Sequence, residues 1–277
     1  MSGIDLVAKE DVRNYWEREV CGSRWGAAVE SDRTRFFDEI DKARYQEDYM
    51  LAAFANFVSG AGKRVLEVGL GTGADFVRWV RAGADVYGRD LTHASVALVK
   101  ERLILEGRTA NLAVGDAEQL EFPDNFFDIY YSWGVLHHTP NTAQAFQEAY
   151  RVLKPGGTLK VMLYHYPSVG SFNVWLIHGP LRLHFCSARE CVLQHVESPG
   201  TRVYTIRQAR EMVGQIFREH PLEIHTYLGS GDLFTQVRSP KYRGAFWDFA
   251  QKVYPRWFVK TLLGHRFGTV MTITTTK

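Results

Sequence analysis

The chain has 277 residues, of which 45% are hydrophobic and 23% are charged, and its formal net charge is +2. This near-neutral balance gives no support for a nucleic-acid-binding protein, which usually carries a strongly basic face. The length predicts one large domain, or one domain with an elaborated appendage.

Cysteine usage and hydropathy narrow the class of protein further. The three cysteines are an odd number with no C-x-x-C spacing, so we expect no disulfide framework, no metal site and a reducing, cytoplasmic compartment. Charges come too early in the chain for a signal peptide. No run of eighteen uncharged apolar residues predicts a membrane span.

The first 60 residues predict a helical N-terminal cap, with one helix in EDVRNYWERE and more helix from SDRTRFF to ANFV. From residue 61 strands and helices alternate. The predicted strands are KRVLEV, ADVYGRD, NLAVGDA, FFDIYYSW and, after a KPGG turn, TLKVMLY. The intervening helices are FVRWVRAG, ASVALVKERLILEG (capped by Thr92) and TAQAFQEAYRVL. This order predicts an α/β fold with a parallel sheet and helices on both faces.

Beyond residue 165 the pattern is less regular. TIRQAREMVGQIF predicts a helix capped by Thr205, and LEIHTYL and GTVMTITTTK predict two late strands, which makes seven. Aromatic segments at about 166–200 and 232–264, the second including Phe246, Trp247 and Phe249, predict a C-terminal helical insertion that covers the substrate site.

The stretch VLEVGLGTGAD, residues 65–75, ends the first strand in a turn with Gly69, Gly71 and Gly73. Glycine lets the backbone turn sharply and approach a ligand closely. By itself such a turn indicates a nucleotide site or a purely structural turn. Asp90 and Asp116 end the next two strands, so parallel topology brings both acids to the edge that holds the turn.

An acid at Asp90 suits the ribose of NAD and of S-adenosylmethionine equally. Two features argue against a dinucleotide-dependent oxidoreductase. Position 74 is alanine rather than the final glycine of G-x-G-x-x-G, and Asp116 and LKPGG are not features of the dehydrogenase pattern.

The segments VLEVGLGTG, GRDLT, GDAEQLEFPDNFFDIYYSWGVLHHTP and RVLKPGG, over about residues 60–165, resemble the class I S-adenosylmethionine-dependent methyltransferases. They are most similar to the ubiquinone-biosynthesis-like (type 11) branch, which acts on small molecules. The resemblance implies a Rossmann-like sheet of seven mostly parallel strands, S-adenosyl-L-methionine as cofactor, and residues 61–277 as the methyltransferase domain behind the 1–60 cap.

The resemblance also implies roles for individual residues. Methionine contacts come from the first strand and its turn, ribose contacts from Asp90, adenine contacts from the loops after the second and third strands, and sulfonium contacts from the end of the fourth strand. The implied cofactor-binding residues are Glu67, Gly69, Gly71, Gly73, Asp90, Leu91, Asp116, Ala117, Ser132 and Trp133. Arg89 departs from the family pattern, and the sequence leaves open whether it pairs with Asp90 or points away.

Methyl transfer from a sulfonium is a direct displacement that needs a base only if the acceptor must lose a proton. The candidate bases are His165, His138, Tyr164 and His137, although a histidine here could equally cap a turn or pack against the cofactor. The candidate substrate-binding residues are Tyr15, Trp16, Trp133 and Tyr164. Arg35 and Tyr45 could reach the cofactor carboxylate, and Cys21 is expected to be buried.

The fourth strand is followed by SWGV rather than an N-P-P-Y-type segment, which argues against methylation of nucleic-acid or protein amides. We therefore expect O- or C-methylation of a small, apolar or aromatic metabolite. The alternatives are a non-methylating enzyme and a binding protein on the same cofactor fold. The oligomeric state is left open.

Overall fold

The computed structural model describes residues 9–179, 187–195, 200–235, 249 and 251–277. At its centre is a seven-stranded sheet in the order β3-β2-β1-β4-β5-β7-β6. The strands are β1 Arg64–Val68, β2 Asp85–Asp90, β3 Asn111–Val114, β4 Phe127–Trp133, β5 Leu153–Tyr164, β6 Glu223–Tyr227 and β7 Val270–Thr276. Strand β7 runs antiparallel to both of its neighbours, and the other pairs are parallel. The predicted fold class is confirmed.

Helices cover both faces of this sheet. They are α1 Lys9–Arg18, α2 Arg33–Glu47, α3 Leu51–Ala55, α4 Ala74–Arg81, α5 His93–Leu105, α6 Thr142–Val152, α7 Val169–His178, α8 Ala188–His195, α9 Ile206–Gly214, α10 Ser230–Leu233 and α11 Arg256–Phe258. A π-helical turn, Val259–Leu263, continues α11. Both predicted N-caps are present, since Thr92 accepts from the Ser95 amide and Thr205 from the Gln208 amide.

The alternation of side chains along the strands builds a separate core on each face of the sheet. Leu66 and Tyr130 pack in the cluster that includes α6 and α9, whereas Val65 and Tyr131 pack in the cluster that includes α4 and α5. The C-terminal ends of the central parallel strands are left to form the edge that the sequence analysis assigned to ligands.

The fifth strand differs from its prediction. It begins at Leu153, before the KPGG segment that was expected to be a turn. The pairing with β4 jumps from Phe127–Leu153 to Ile129–Thr158, and Gly156 has a φ of 77°. The extra residues therefore form a bulge inside the strand, because the backbone can deviate locally and then resume the same parallel ladder.

Two expectations about cysteine are wrong. Cys21 is exposed, because it lies in the irregular segment between α1 and α2 and contributes to the wall of a cavity. Cys191 is disulfide-bonded.

The predicted insertion is covered only in part, since residues 180–186, 196–199, 236–248 and 250 lie outside the described residues, with Phe246 and Trp247 among them. Among the helices that are described, none is long and apolar enough to cross a membrane. The described residues also include no group of three or more histidine, cysteine or acidic side chains that could hold a metal ion.

Candidate active site

A cavity of about 550 Å³ lies at the C-terminal ends of β1, β2, β4 and β5. Its floor is the glycine turn, and its walls come from the loops after β2, β3 and β4. Helices α1 and α2 border it from the N-terminal side, and α7 and α10 from the other side. Its volume lies within the range typical of small-molecule sites.

The glycine turn requires glycine at two positions in particular. Gly69 and Gly73 have φ angles of 83° and 75°, a region that side chains rarely allow. A Cβ at Gly69 would lie 2.0 Å from Val135 Cγ2, and one at Gly73 would lie 2.7 Å from Val99 Cγ2. The turn therefore packs directly against the loop after β4 and against α5; Gly69 and Gly71 line the cavity, and Gly73 does not.

Glu67, at the end of β1, is only 2% exposed, and its Oε2 has no hydrogen-bond partner among the residues described. Burial raises the pKa of this carboxyl group well above its usual value, Asp75 and Asp90 raise it further, and Arg44 opposes them. Burying a polar atom without a partner is costly. A carboxyl group of this kind on a cavity wall suits a ligand that brings a hydrogen-bond donor, such as an ammonium group.

Asp90 connects the glycine turn to the start of α5. Its Oδ2 accepts a hydrogen bond from the Leu70 amide at 2.7 Å, and its Oδ1 accepts from the amide and the hydroxyl of Thr92 at 2.9 and 2.7 Å. Both Asp90 and Leu91 line the cavity. Arg89 points away from Asp90, because it pairs with Glu121 and its guanidinium lies 4.4 Å from the Phe122 ring centroid.

Asp116 and Ala117 line the end of the cavity that lies under α1. Lys9 of this helix donates to Asp116 at 2.5 Å and to Glu118 at 2.7 Å. Glu17, at the other end of α1, accepts from the backbone amides of His93 and Ala94, both at 2.9 Å. Helix α1 therefore lies across this end of the cavity and is held at both of its own ends.

The end of β4 contributes Trp133 but not Ser132. Trp133 lines the cavity and donates from Nε1 to Asp48 at 3.2 Å. Ser132 is fully buried, and its hydroxyl donates to the Val68 carbonyl at 2.9 Å. Ser132, which was expected to border the sulfonium, does not line the cavity, because successive side chains of a strand alternate in direction and this hydroxyl joins β4 to β1.

Two of the candidate histidines line the cavity. His165 Nδ1 lies 2.9 Å from the Gly268 carbonyl oxygen, and His138 Nδ1 lies 3.0 Å from Thr201 Oγ1. Because a carbonyl only accepts, Nδ1 of His165 carries the hydrogen and Nε2 keeps a lone pair. Burial lowers the pKa of His165, which favours this neutral form.

His137, the fourth candidate base, does not line the cavity. Its side chain is fully buried away from the cavity, and neither ring nitrogen has a hydrogen-bond partner within the described part of the chain. Its ring packs 4.1 Å from that of Tyr164, which does line the cavity. Burial lowers the pKa of His137 well below its usual value, and His138 adds to this effect.

Two aromatic residues of helix α1 lie on the cavity wall. Tyr15 and Trp16 both line the cavity, and the Trp16 ring lies edge-on to His138 at 5.5 Å. The other two cap residues proposed to reach the cofactor do not line it. Arg35 is exposed, and the Tyr45 hydroxyl donates to Asp75 at 2.9 Å.

An ionic network that was not predicted from the sequence lies at the end of α2. Arg44, Asp48 and Asp75 all line the cavity. Arg44 donates to Asp48 at 2.8 Å and to Asp75 at 2.9 Å, and Asp75 also accepts from the Tyr131 hydroxyl at 2.9 Å. Two signals could have revealed it, namely the i,i+4 spacing of Arg44 and Asp48 and the acid at position 75 directly after the glycine turn.

Between β5, α7 and α10 the cavity continues as a chamber whose described wall includes seven apolar residues. Its apolar residues are Met162, Val174, Ile177, Val192, Val203, Phe234 and Val270. Its polar residues are bound to one another or to backbone, as where Asn173 donates to Tyr254 at 3.0 Å and Ser171 to the Ser168 carbonyl at 2.6 Å. The described residues that line the chamber include no lysine or arginine.

Comparison with known proteins agrees with this geometry. Residues 66–161 match the family described as Methyltransferase domain. The ubiquinone/menaquinone biosynthesis C-methyltransferase of Neisseria meningitidis is 35% identical over 121 residues, which cover 41% of this chain and 49% of that protein. Phosphoethanolamine N-methyltransferase 2 of Caenorhabditis elegans is 32% identical over 45% of this chain and 29% of its own length. The chain thus spans about half or less of the length of these relatives.

Solved structures share the fold. A methyltransferase bound to the Haloferax volcanii Trm112 methyltransferase activator has a TM-score of 0.61 at 18% identity, covering 96% of this chain and 97% of its own. The [4+2]-cyclase SpnF has a TM-score of 0.55 at 17% identity, covering 83% and 80%. Residues 66–161 thus match a methyltransferase domain, and the fold of the chain is that of the solved methyltransferases. Over this part of the chain, the similarity includes methyltransferases of ubiquinone and menaquinone biosynthesis.

Proposed function

We propose that the protein transfers a methyl group from S-adenosylmethionine directly to a small apolar or aromatic acceptor. The observation that carries the substrate class is the chamber, whose described wall includes seven apolar residues and no lysine or arginine that could bind a phosphate or carboxylate. O- or C-methylation is the favoured outcome. We also propose a cytoplasmic location and no nucleic-acid partner.

In this proposal the chain's residues hold the cofactor along the sheet edge. Glu67, with its unpaired Oε2, takes the ammonium group of the methionine part beside the glycine turn. Asp90 takes the ribose hydroxyls, since a carboxylate has lone pairs beyond those that Leu70 and Thr92 use. Asp116 and Ala117 take the adenine edge, with Lys9 giving up part of its contact with Asp116.

The bound cofactor supplies a methyl group that is already activated on sulfur. The protein then has to align the acceptor, exclude water and receive any proton that leaves. His165 fits the last role, because its Nε2 lone pair is kept available by the hydrogen bond from Nδ1 to Gly268. Trp133 and Tyr164 provide aromatic walls, and Tyr15 and Trp16 close the site from α1.

A non-methylating enzyme or a binding protein is the second candidate, because a [4+2]-cyclase has a similar fold. The two candidates differ in one product. Methyl transfer releases S-adenosylhomocysteine in proportion to methylated acceptor, whereas cyclisation or simple binding consumes no cofactor.

The first test is calorimetric titration with S-adenosylmethionine, S-adenosylhomocysteine and NAD. We expect the two sulfur compounds to bind and NAD not to bind. Binding of NAD alone would refute the cofactor assignment. A labelled methyl group then allows apolar acceptors to be screened.

Asp90→Ala tests the ribose assignment. We expect S-adenosylhomocysteine to bind at least about tenfold more weakly, because charge-assisted hydrogen bonds to the ligand are lost. Asp85→Ala is the matched control, since Asp85 begins the same strand and its side chain is 60% exposed. Unchanged affinity in Asp90→Ala would remove Asp90 from the cofactor site.

A further inference from the structure

Large apolar side chains are exposed along one segment near the C-terminus. They are Phe249, Val253, Trp257, Phe258, Leu262 and Phe267, each between 37% and 76% exposed. We call these six residues the C-terminal surface. Several large apolar side chains exposed within one short segment are typical of a site of interaction with a protein or a membrane.

The segment is firmly attached to the fold by its other side. Val259 is buried in a cluster with Val169, Leu228 and Leu233. Arg256 donates to the Leu233 carbonyl at 2.9 Å, and Gln251 donates to the Phe234 carbonyl at 2.7 Å. The segment therefore packs against the rest of the fold by one face and exposes the C-terminal surface on the other.

The charges along this segment have one sign. Residues 249–267 contain Lys252, Arg256, Lys260 and Arg266 but no aspartate or glutamate. Lys252, Lys260 and Arg266 are exposed beside the apolar residues. Aromatic and aliphatic side chains interleaved with cations are the composition of helices that lie in the interface of an anionic membrane.

We propose that the C-terminal surface docks the protein onto an anionic lipid bilayer. Trp257, Phe258 and Leu262 would enter the boundary between headgroups and acyl chains, and the cations would contact lipid phosphates. A second copy of the chain fits less well, because a two-fold contact through this surface would place the same cations opposite one another.

The C-terminal surface lies next to the chamber, and this position suggests what membrane docking would achieve. Gln251 and Phe234, which join this segment to α10, both line the chamber. Helix α7, which shares a cluster with Val259, adds exposed Phe172 and Leu176 on its outer side. Docking would hold the outer wall of the chamber against the bilayer, where an apolar acceptor dissolves. The docking itself does not depend on the proposed reaction.

Vesicle flotation of the full chain tests the proposal. We expect it to float with mixed phosphatidylcholine–phosphatidylglycerol vesicles, more weakly with phosphatidylcholine alone, and less as salt rises. The double variant Trp257→Ser/Leu262→Ser should bind at least about tenfold more weakly. Lys252→Gln/Lys260→Gln should also lose about tenfold, and only for the mixed vesicles.

The matched control is Val58→Ser/Ile104→Ser, which removes two apolar residues of similar exposure, 76% and 67%, outside the C-terminal surface. It should bind vesicles like the parent, and all variants should bind S-adenosylhomocysteine alike if they are folded. Absence of flotation with either vesicle, or equal losses in the control, would overturn the proposal. The proposal would also be overturned if the protein formed a dimer in the absence of lipid and Trp257→Ser/Leu262→Ser dissociated that dimer. The C-terminal surface would then bind a second copy of the chain.

Discussion

At the scale of single residues, His165 combines a fixed tautomer with a place on the cavity wall. His165→Gln keeps a side-chain N–H for the Gly268 carbonyl but removes the basic nitrogen. We expect turnover of an O–H or C–H acceptor to fall by about 10²–10⁴-fold, with unchanged affinity for S-adenosylhomocysteine. Because burial lowers the pKa of His165, wild-type turnover should hold as pH falls to 6.5 and decline only below it. Full activity in the variant would remove His165 from the chemistry.

His137 makes a contrasting prediction about stability, because it is neutral and fully buried. Its folded pKa lies well below the ordinary 6.5, so the unfolded chain binds the proton first as pH falls. The stability that the neutral form contributes is fully present above pH 6.5 and is lost below it. The free energy of unfolding should therefore fall as the pH is lowered from 7 to 5.

His137→Leu should therefore lose less stability than the parent between these two pH values. Urea denaturation at each pH measures the difference. His220→Leu, at an exposed position, is the control for the substitution itself. An identical acid loss in His137→Leu and the parent would contradict the assignment.

At the scale of elements, α1 is a cover that is held in place by a few polar contacts. Its only buried apolar residue is Val12, so Glu17 and Lys9 carry much of its attachment. Glu17→Ala removes both hydrogen bonds to the start of α5. Hydrogen bonds from a carboxylate to a helix N-terminus contribute about 1 kcal/mol of stability. In this variant we expect the backbone amides of residues 9–18 to exchange their hydrogens about fivefold faster than in the parent. We also expect bound S-adenosylhomocysteine to dissociate faster.

Glu10→Ala is the matched control for this experiment, since Glu10 is exposed in the first turn of the same helix. It should leave both rates unchanged. If Glu17→Ala exchanged and released ligand at the parental rates, α1 would be held by its apolar contacts instead.

At the scale of the whole molecule, the sequence predicted those features of the fold and the site that local sequence patterns determine. The glycine turn and the order of strands placed Asp90 and Asp116 at one edge, as observed. The sequence did not place Arg44 or Asp75 in the site, because their roles arise from the docking of α2 onto the sheet. Nor could it separate His137 from His138, because two adjacent histidines look alike in sequence and only packing decides that His138 lines the cavity.

The same docking predicts that the cap and the sheet unfold together. Asp75 accepts hydrogen bonds from Arg44 and Tyr45 of α2 and from Tyr131 of β4, so one buried carboxylate joins the cap to the sheet. Asp75→Ala would leave Arg44 with one fewer counter-charge and the Tyr131 hydroxyl without its acceptor, and it would leave the Tyr45 hydroxyl only its longer hydrogen bond to the Ala74 carbonyl. We expect it to lower the free energy of unfolding by about 3–5 kcal/mol, the cost of breaking a buried pair.

Urea denaturation followed by circular dichroism and by tryptophan fluorescence measures this effect. The two signals should shift together, because the tryptophans lie in both the cap and the sheet. Asp75→Asn gives a milder variant if the alanine variant does not fold, and Asp85→Ala, on the surface, should change stability by no more than about 0.5 kcal/mol. A change of less than about 1 kcal/mol in both Asp75 variants would mean that apolar packing alone fixes α2 to the sheet. Separate transitions of the two signals would mean that the cap folds as an independent unit.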